Sequence, residues 1–219
     1  MNRAERRQGG GPSRAELQAQ AQRRRTILFA SLGVMAVLLL VAVGVASRVP
    51  KVASEAPIYA QLKVGDKAPE FAVSTTGGPF DLAGAGGKPT LLEVYATWCP
   101  HCQRETVTLN RLYDAYRGNV NIVAVSGSPY GIDESSPESQ ADVVDFMQRF
   151  SVRYPIAFDP NLDVAKKYLQ GGFPTLVLIG KDGTILGIRD GEIPSSDLSA
   201  ALDAAVAGRH VDPHLGAKA

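Results

Sequence analysis

Both cysteines of this 219-residue chain fall inside one five-residue stretch, Trp98-Cys99-Pro100-His101-Cys102. Ahead of them runs Leu91 to Ala96, apolar except for Glu93, and after them Gln103 to Arg117 follows a helix-like pattern. A strand that delivers a Cys-x-x-Cys to the first turn of a helix places one sulfur beside unpaired amide N–H groups and the positive end of the helix dipole. Both favour a thiolate. The chemistry such a pair supports is thiol–disulfide exchange. Two cysteines are too few for a disulfide-stapled scaffold, and so short a loop contributes little as a structural crosslink.

Two other residue types, glutamate and histidine, bear on that chemistry. Glu93 is a carboxylate in an apolar strand; buried without a partner, it would hold its proton to unusually high pH, whereas facing solvent or an ion-pair partner it would not. His101 could favour the Cys99 thiolate electrostatically, or stand as a solvated surface histidine. His210 and His214 have zinc-ligand spacing and would complete a four-ligand set with Cys99 and Cys102. They lie more than a hundred positions away in a stretch that reads as a tail, so no metal is expected.

The elements that must position these groups begin with an address. Formal net charge is +1, yet residues 1–25 hold seven arginines against Glu5 and Glu16, a net of +5 that leaves −4 for the rest. The basic excess therefore belongs to a polar tail, and nothing points to nucleic acid. Residues 26–47 contain no charged side chain. At ~1.5 Å per residue they make a helix of about 33 Å, long enough to cross a bilayer. Arg23, Arg24 and Arg25 precede it directly, which puts residues 1–25 in the cytoplasm and everything after residue 48 outside. The alternative is a cleaved signal, with Gly44-Val45-Ala46 as the cleavage site, although signal cores are usually shorter. Residues 48–61 read as a linker, 62–208 as the domain and 209–219 as a tail.

Within the domain, strands are expected near Phe71–Ser74, just after Gly77-Gly78-Pro79, and at Leu91–Ala96, Val120–Val125, Tyr154–Phe158, Thr175–Ile179 and Thr184–Arg189. Helices are expected from Pro100 to Tyr116, from Ser136 onward, from Asp159 to about Leu169, and from Ser195 or Ser196 to Val206. Pro100 suits a first helical position. At 45% hydrophobic and 21% charged residues the composition is that of a globular protein. Alternating strands and helices followed by a hairpin and a last helix imply an α/β fold with helices on both faces of the sheet.

Taken together, Val64 to Phe71, Ala96 to Cys102, Phe158-Asp159-Pro160, Gly172-Phe173-Pro174-Thr175 and Gly180 to Ile185 resemble the thioredoxin superfamily. Within it they are most similar to the membrane-anchored TlpA/ResA-like redoxins. The resemblance spans about residues 62–207 and implies a thioredoxin-like fold, a central mixed β-sheet flanked by helices, here preceded by a single transmembrane helix. It implies Cys99 as the nucleophile and the more exposed sulfur, and Cys102 as the buried resolving thiol. Glu93 matches a buried acid that moves protons to and from Cys102. Pro174 should follow a cis peptide bond that brings the Phe173 backbone beside Cys99, where a substrate strand can pair. Trp98 would shield the cysteines or simply pack into the core. Glu105 matches an acid common in TlpA-like proteins, and its helix turn equally fits a solvated face.

Cys-Pro-His-Cys itself is the pair seen in DsbA-like oxidases. The resemblance thus supports a protein thiol–disulfide oxidoreductase, leaning to reduction and to tasks such as cytochrome c maturation, with a DsbA-like oxidase as the alternative. A peroxiredoxin-like peroxidase is a more distant one, since Thr97 stands two residues before Cys99 where that family has three. No cofactor beyond the Cys99–Cys102 pair is expected. The partners implied are client proteins bearing thiols or disulfides, a membrane or extracytoplasmic electron donor, and the bilayer itself.

Overall fold

The computed structural model describes residues 61–216 apart from Gly86, together with Gln18, Gln22, Arg23 and Met35. Apart from those four residues and Gln61, the expected tail, anchor and linker lie outside the described residues. Among the described residues no helix is long and apolar enough to cross a membrane.

The elements run β1 (Ala72–Thr75), β2 (Gly78–Asp81), β3 (Thr90–Tyr95), α1 (Pro100–Tyr116), β4 (Asn121–Ser126), α2 (Gln140–Arg149), β5 (Ile156–Ala157), α3 (Ala165–Tyr168), β6 (Thr175–Ile179), β7 (Ile185–Asp190) and α4 (Ser195–Val206). They form one sheet in the order β2-β1-β5-β4-β3-β6-β7. β3 is parallel to β4 and antiparallel to β6, so the sheet is mixed, with β3 near its middle.

Every residue of β3 is buried, as a strand covered on both faces requires. Its alternation divides the core. Leu91 and Tyr95 pack with Leu109 and Leu112 of α1, Val143 and Phe146 of α2, and Leu198 and Leu202 of α4. Leu92 and Val94 pack on the other face with Phe71, Ala165 and Tyr168. Glu93 shares the parity of Leu91 and Tyr95, which sends its carboxyl under α1.

Several expected boundaries move, and at three elements the local reason is visible. α2 starts at Gln140 because Ser139 and Asp142 form a capping box: the Ser139 hydroxyl accepts the Asp142 amide and the Asp142 carboxylate accepts the Ser139 amide. β5 shrinks to two residues because Pro155 has no N–H for the ladder. The short helix begins at Ala165, although Asp159 still accepts the amides of Asp163, Val164 and Ala165 in the turn before it.

The expectation of a tail from residue 209 is corrected for residues 209–216. Val211 and Leu215 are buried, and the Ile188 amide of β7 donates to the Pro213 carbonyl at 3.0 Å. Gly187 leaves room for this return, since a Cβ there would overlap Leu215.

Candidate active site

α1 begins at the cysteine pair. Cys99 is its N-cap, with extended backbone (φ −72°, ψ 117°), and Pro100 occupies the first helical position, where no amide proton is required. No side chain caps this end, so the first-turn amides of His101 and Cys102 are left to act on the Cys99 sulfur. The thiol of Cys99 is lowered to about 6, chiefly by the hydrogen bond from the Cys102 thiol and then, against the cost of burial, by those amides and the His101 charge. Cys102 is wholly buried and its thiol is raised far above the ordinary range, first by burial and then by its neighbours Cys99 and Glu93. Both cysteines are free thiols, one poised to ionise and the other held protonated.

Opposite Cys99, the Phe173–Pro174 peptide is cis, and the Phe173 carbonyl lies 3.5 Å from the Cys99 Sγ. Trp98 stands edge-on to the Phe173 ring at 5.8 Å and donates its indole N–H to the Ser128 hydroxyl at 2.8 Å. It is therefore tied to the loop after β4 as well as packed beside the cysteines. An open groove of about 610 Å³ lies alongside, lined by His101, Gly171 to Phe173, and Arg189 to Glu192. A hollow of similar size at the β1–β2 hairpin shares no residue with this site.

Behind the pair, Glu93 is 2% exposed. Its Oε2 accepts the Tyr154 hydroxyl at 3.3 Å, while its Oε1 has no partner among the described residues. Burial, reinforced by the nearby Glu105, raises its carboxyl well above the carboxylate range, and the Tyr154 bond opposes that rise. The solvent-facing and ion-paired alternatives for Glu93 are thereby ruled out. Glu105 is corrected as well. It is 1% exposed, not a solvated face, because it shares the inward face of α1 with Cys102 and Leu109. Its Oε2 accepts the Ile193 amide at 3.0 Å, and burial lifts it to about 7.

His101 is exposed, and its ring is engaged by other groups. Its Nδ1 lies 2.6 Å from Glu192 Oε1 and 2.8 Å from the Arg104 guanidinium, which itself donates to the same carboxylate oxygen at 2.6 and 3.0 Å. The Arg104 bond, then the His101 bond, hold the Glu192 carboxyl below its usual value.

Glu138 is a functional candidate that the sequence reading missed. It accepts the hydroxyls of Thr97 at 3.1 Å and of Ser126, and burial raises its carboxyl to about 8. Ser136-Pro137-Glu138 reads as a helix start, which disguised a side chain turned inward under the active-site strand. Tyr154 and Glu192 carried no signal either, lying 61 and 91 positions from Glu93 and His101. His210 and His214 do not join the cysteines; among the described residues no three His, Cys, Asp or Glu side chains gather as a metal site.

Comparison with known proteins agrees with this geometry. The Redoxin family model matches residues 63–204. The thiol-disulfide oxidoreductase ResA of Geobacillus thermodenitrificans is 32% identical over 142 residues, covering 64% of this chain and 76% of that protein. ResA of Bacillus cereus is 28% identical over 144 residues, covering 65% and 78%. Among solved structures, a protein from Chlorobium tepidum assigned as a thiol:disulfide interchange protein DsbE superposes with a TM-score of 0.58 at 27% identity, over 66% of this chain and 99% of that one. With a mixed central sheet, a dithiol at a helix N-terminus and these relatives, the chain belongs to the redoxin family, on the ResA-like side of the thioredoxin superfamily, and is a thiol–disulfide oxidoreductase.

Proposed function

We propose that the protein reduces disulfides of client proteins outside the cytoplasm, held at the membrane by residues 26–47, and draws its electrons from a membrane or extracytoplasmic dithiol donor. The Cys99 thiolate attacks a client disulfide, one client sulfur leaves as a thiolate, and a mixed disulfide remains. Cys102 then passes its proton to Glu93 and attacks Cys99. The Cys99–client bond breaks with its electron pair on the client, and the Cys99–Cys102 disulfide forms. The Phe173 backbone and the groove beside it would receive the client strand. Cytochrome c maturation is one task that fits such a reductase. The redox-active pair itself serves as the only redox group in this cycle.

The observation that carries the direction is the state of Cys99. A thiol near 6 lies closer to that of thioredoxin, about 7, than to that of DsbA, about 3.5. The imidazole that would deepen this depression is engaged with Glu192. His101 between the cysteines is what favours the second reading, a DsbA-like oxidase. The peroxidase reading has less support, because the Thr97 hydroxyl is committed to Glu138.

The reduction potential of the Cys99–Cys102 couple, measured by equilibration with glutathione, tests the direction. A value near that of thioredoxin, about −270 mV, fits a reductase, and one near that of DsbA, about −120 mV, overturns it. Labelling of Cys99 in intact cells by a membrane-impermeant thiol reagent tests the location; a cysteine protected until lysis would place the domain inside.

A further inference from the structure

Glu93, 2% exposed, is a buried carboxyl that must both take and release a proton. The surroundings of Glu93 show how the cost of each state is limited. Among the described residues one group donates to its carboxylate, the hydroxyl of Tyr154 at 3.3 Å. That hydroxyl also lies 3.4 Å from Thr106 Oγ1, whose own proton is given to the Cys102 carbonyl at 3.0 Å. Tyr154 and Thr106 are both buried. A phenol has one proton and two acceptors here, so it serves them alternately.

We propose that Tyr154 is a positioning residue for the proton-transfer step, a switchable hydroxyl that donates to Glu93 when the carboxylate is charged and to Thr106 when it is protonated. This rests on the reading of Glu93 as the acceptor of the Cys102 proton. In the charged state Tyr154 stabilises the base that must deprotonate Cys102. Once Glu93 holds the proton, Tyr154 turns to Thr106, which can accept because its own proton is committed to the helix backbone at Cys102. The chain then runs Glu93 to Tyr154 to Thr106 to the Cys102 carbonyl, each proton matched. Neither state leaves a buried hydroxyl proton without an acceptor, the costly alternative.

The other ionisable groups near Glu93 do not supply this function. Glu105 of α1 and Cys99 at its N-cap disfavour its charge, and Cys102 is the proton source. Tyr95 of β3 is buried with no hydrogen-bond partner among the described residues and feels Glu138 and Glu93 through space.

The two neighbours predict shifts of opposite sign. Tyr154→Phe removes a charge-assisted donor from the carboxylate and only a neutral acceptor from the protonated acid, so Glu93 should titrate higher. Thr106→Val removes the acceptor needed only when Glu93 is protonated, so Glu93 should titrate lower. The full-length reduced protein, treated with a chromogenic aromatic disulfide, releases one thiol when Cys99 attacks and a second when Cys102 closes the ring. In single-turnover mixing across pH, the limb of the second phase should move up by about one pH unit in Tyr154→Phe. It should move down in Thr106→Val and stay in place in Thr106→Ser, which keeps the hydroxyl. The first phase should not move in any of them.

Limbs that stay fixed, or that move in the same direction in the first two variants, overturn the proposal. Glu93→Gln separates the two levels. If the limb disappears in Glu93→Gln while the Tyr154 and Thr106 variants leave it fixed, only the role of Tyr154 falls. If the limb persists in Glu93→Gln, the base is another group and both readings fall.

Discussion

His101 Nδ1 lies 2.6 Å from Glu192 Oε1, and Arg104 donates to that same oxygen from the next turn of the helix. The residue that marks the active site as oxidase-like is thereby drawn toward a carboxylate on the β7–α4 connection. Whatever His101 does to the Cys99 thiol, it does with the Glu192 carboxylate beside it.

Removing that carboxylate should release the effect. In Glu192→Gln the Cys99 thiol should fall below its present value of about 6 by about half a pH unit, with a more oxidising disulfide. His101→Ala alone should raise the thiol by less, and the double variant should return close to wild type, a non-additivity that reports the pairing. Thiolate absorbance against pH measures all three. Since every partner is exposed, the effect should shrink in high salt. A Cys99 thiol that does not move, or moves up, in Glu192→Gln would show that the pairing has no hold on the site.

Glu93→Gln separates the two halves of the exchange. The side chain keeps its size and an acceptor for Tyr154, but loses the ability to take a proton. Attack by Cys99 should proceed at nearly the wild-type rate, because the amides and the Cys102 thiol that favour its thiolate are untouched. Closure by Cys102 should slow by about 10²-fold or more, the usual scale of a lost general base. Trapping the mixed disulfide with a small client peptide and following its decay by mass spectrometry reads this directly. Rapid decay would remove Glu93 from the mechanism.

The fold was legible wherever one short-range rule governed. Pro100 to Tyr116 and Thr175 to Ile179 stand where periodicity and flanking turns put them. Around the cysteines, the burial of Glu93 and the approach of Phe173 to Cys99 followed from strand parity and from the resemblance. The misses share a cause, which is that burial depends on partners distant in the chain. Glu105 reads as a helix-surface acid until the Ile193 amide, 88 residues on, closes over it. Leu215 reads as tail until Gly187 leaves a socket for it. Tyr154, Glu138 and Glu192 belong to no local pattern, and only the assembled sheet brings them to the site.

Glu105 should make stability fall as pH rises. Its carboxyl titrates near 4.5 when exposed and at about 7 in the folded protein, so the folded state binds the proton more tightly. The associated stabilisation is fully present below about pH 4.5 and is lost as pH rises to about 7. At 1.36 kcal/mol per pH unit, and allowing for partial relaxation of the site, this is about 2–3 kcal/mol. Glu105→Gln keeps an acceptor for the Ile193 amide and cannot ionise, so it should flatten that part of the profile and leave the variant the more stable at pH 7. Urea unfolding of both proteins at several pH values gives the comparison, and parallel profiles would exclude the buried acid as the cause.

Leu215 should prove a core residue. It is fully buried against Gly187 of β7, and the chain leading to it is fixed by the bond from the Ile188 amide to the Pro213 carbonyl. Leu215→Ala removes a buried side chain and leaves a cavity, which costs about 2–4 kcal/mol. A chain ending after Gly208 also exposes the apolar surface that Val211 and Leu215 cover, and should be destabilised further. The cysteines are positioned by β3, α1 and the Phe173–Pro174 turn, whereas Leu215 is seated at Gly187 of β7. The rate of Cys99 attack at temperatures well below unfolding should therefore match wild type in Leu215→Ala, while its thermal midpoint falls by several degrees. An unchanged midpoint would mean that residues 209–216 do not pack on the domain in solution.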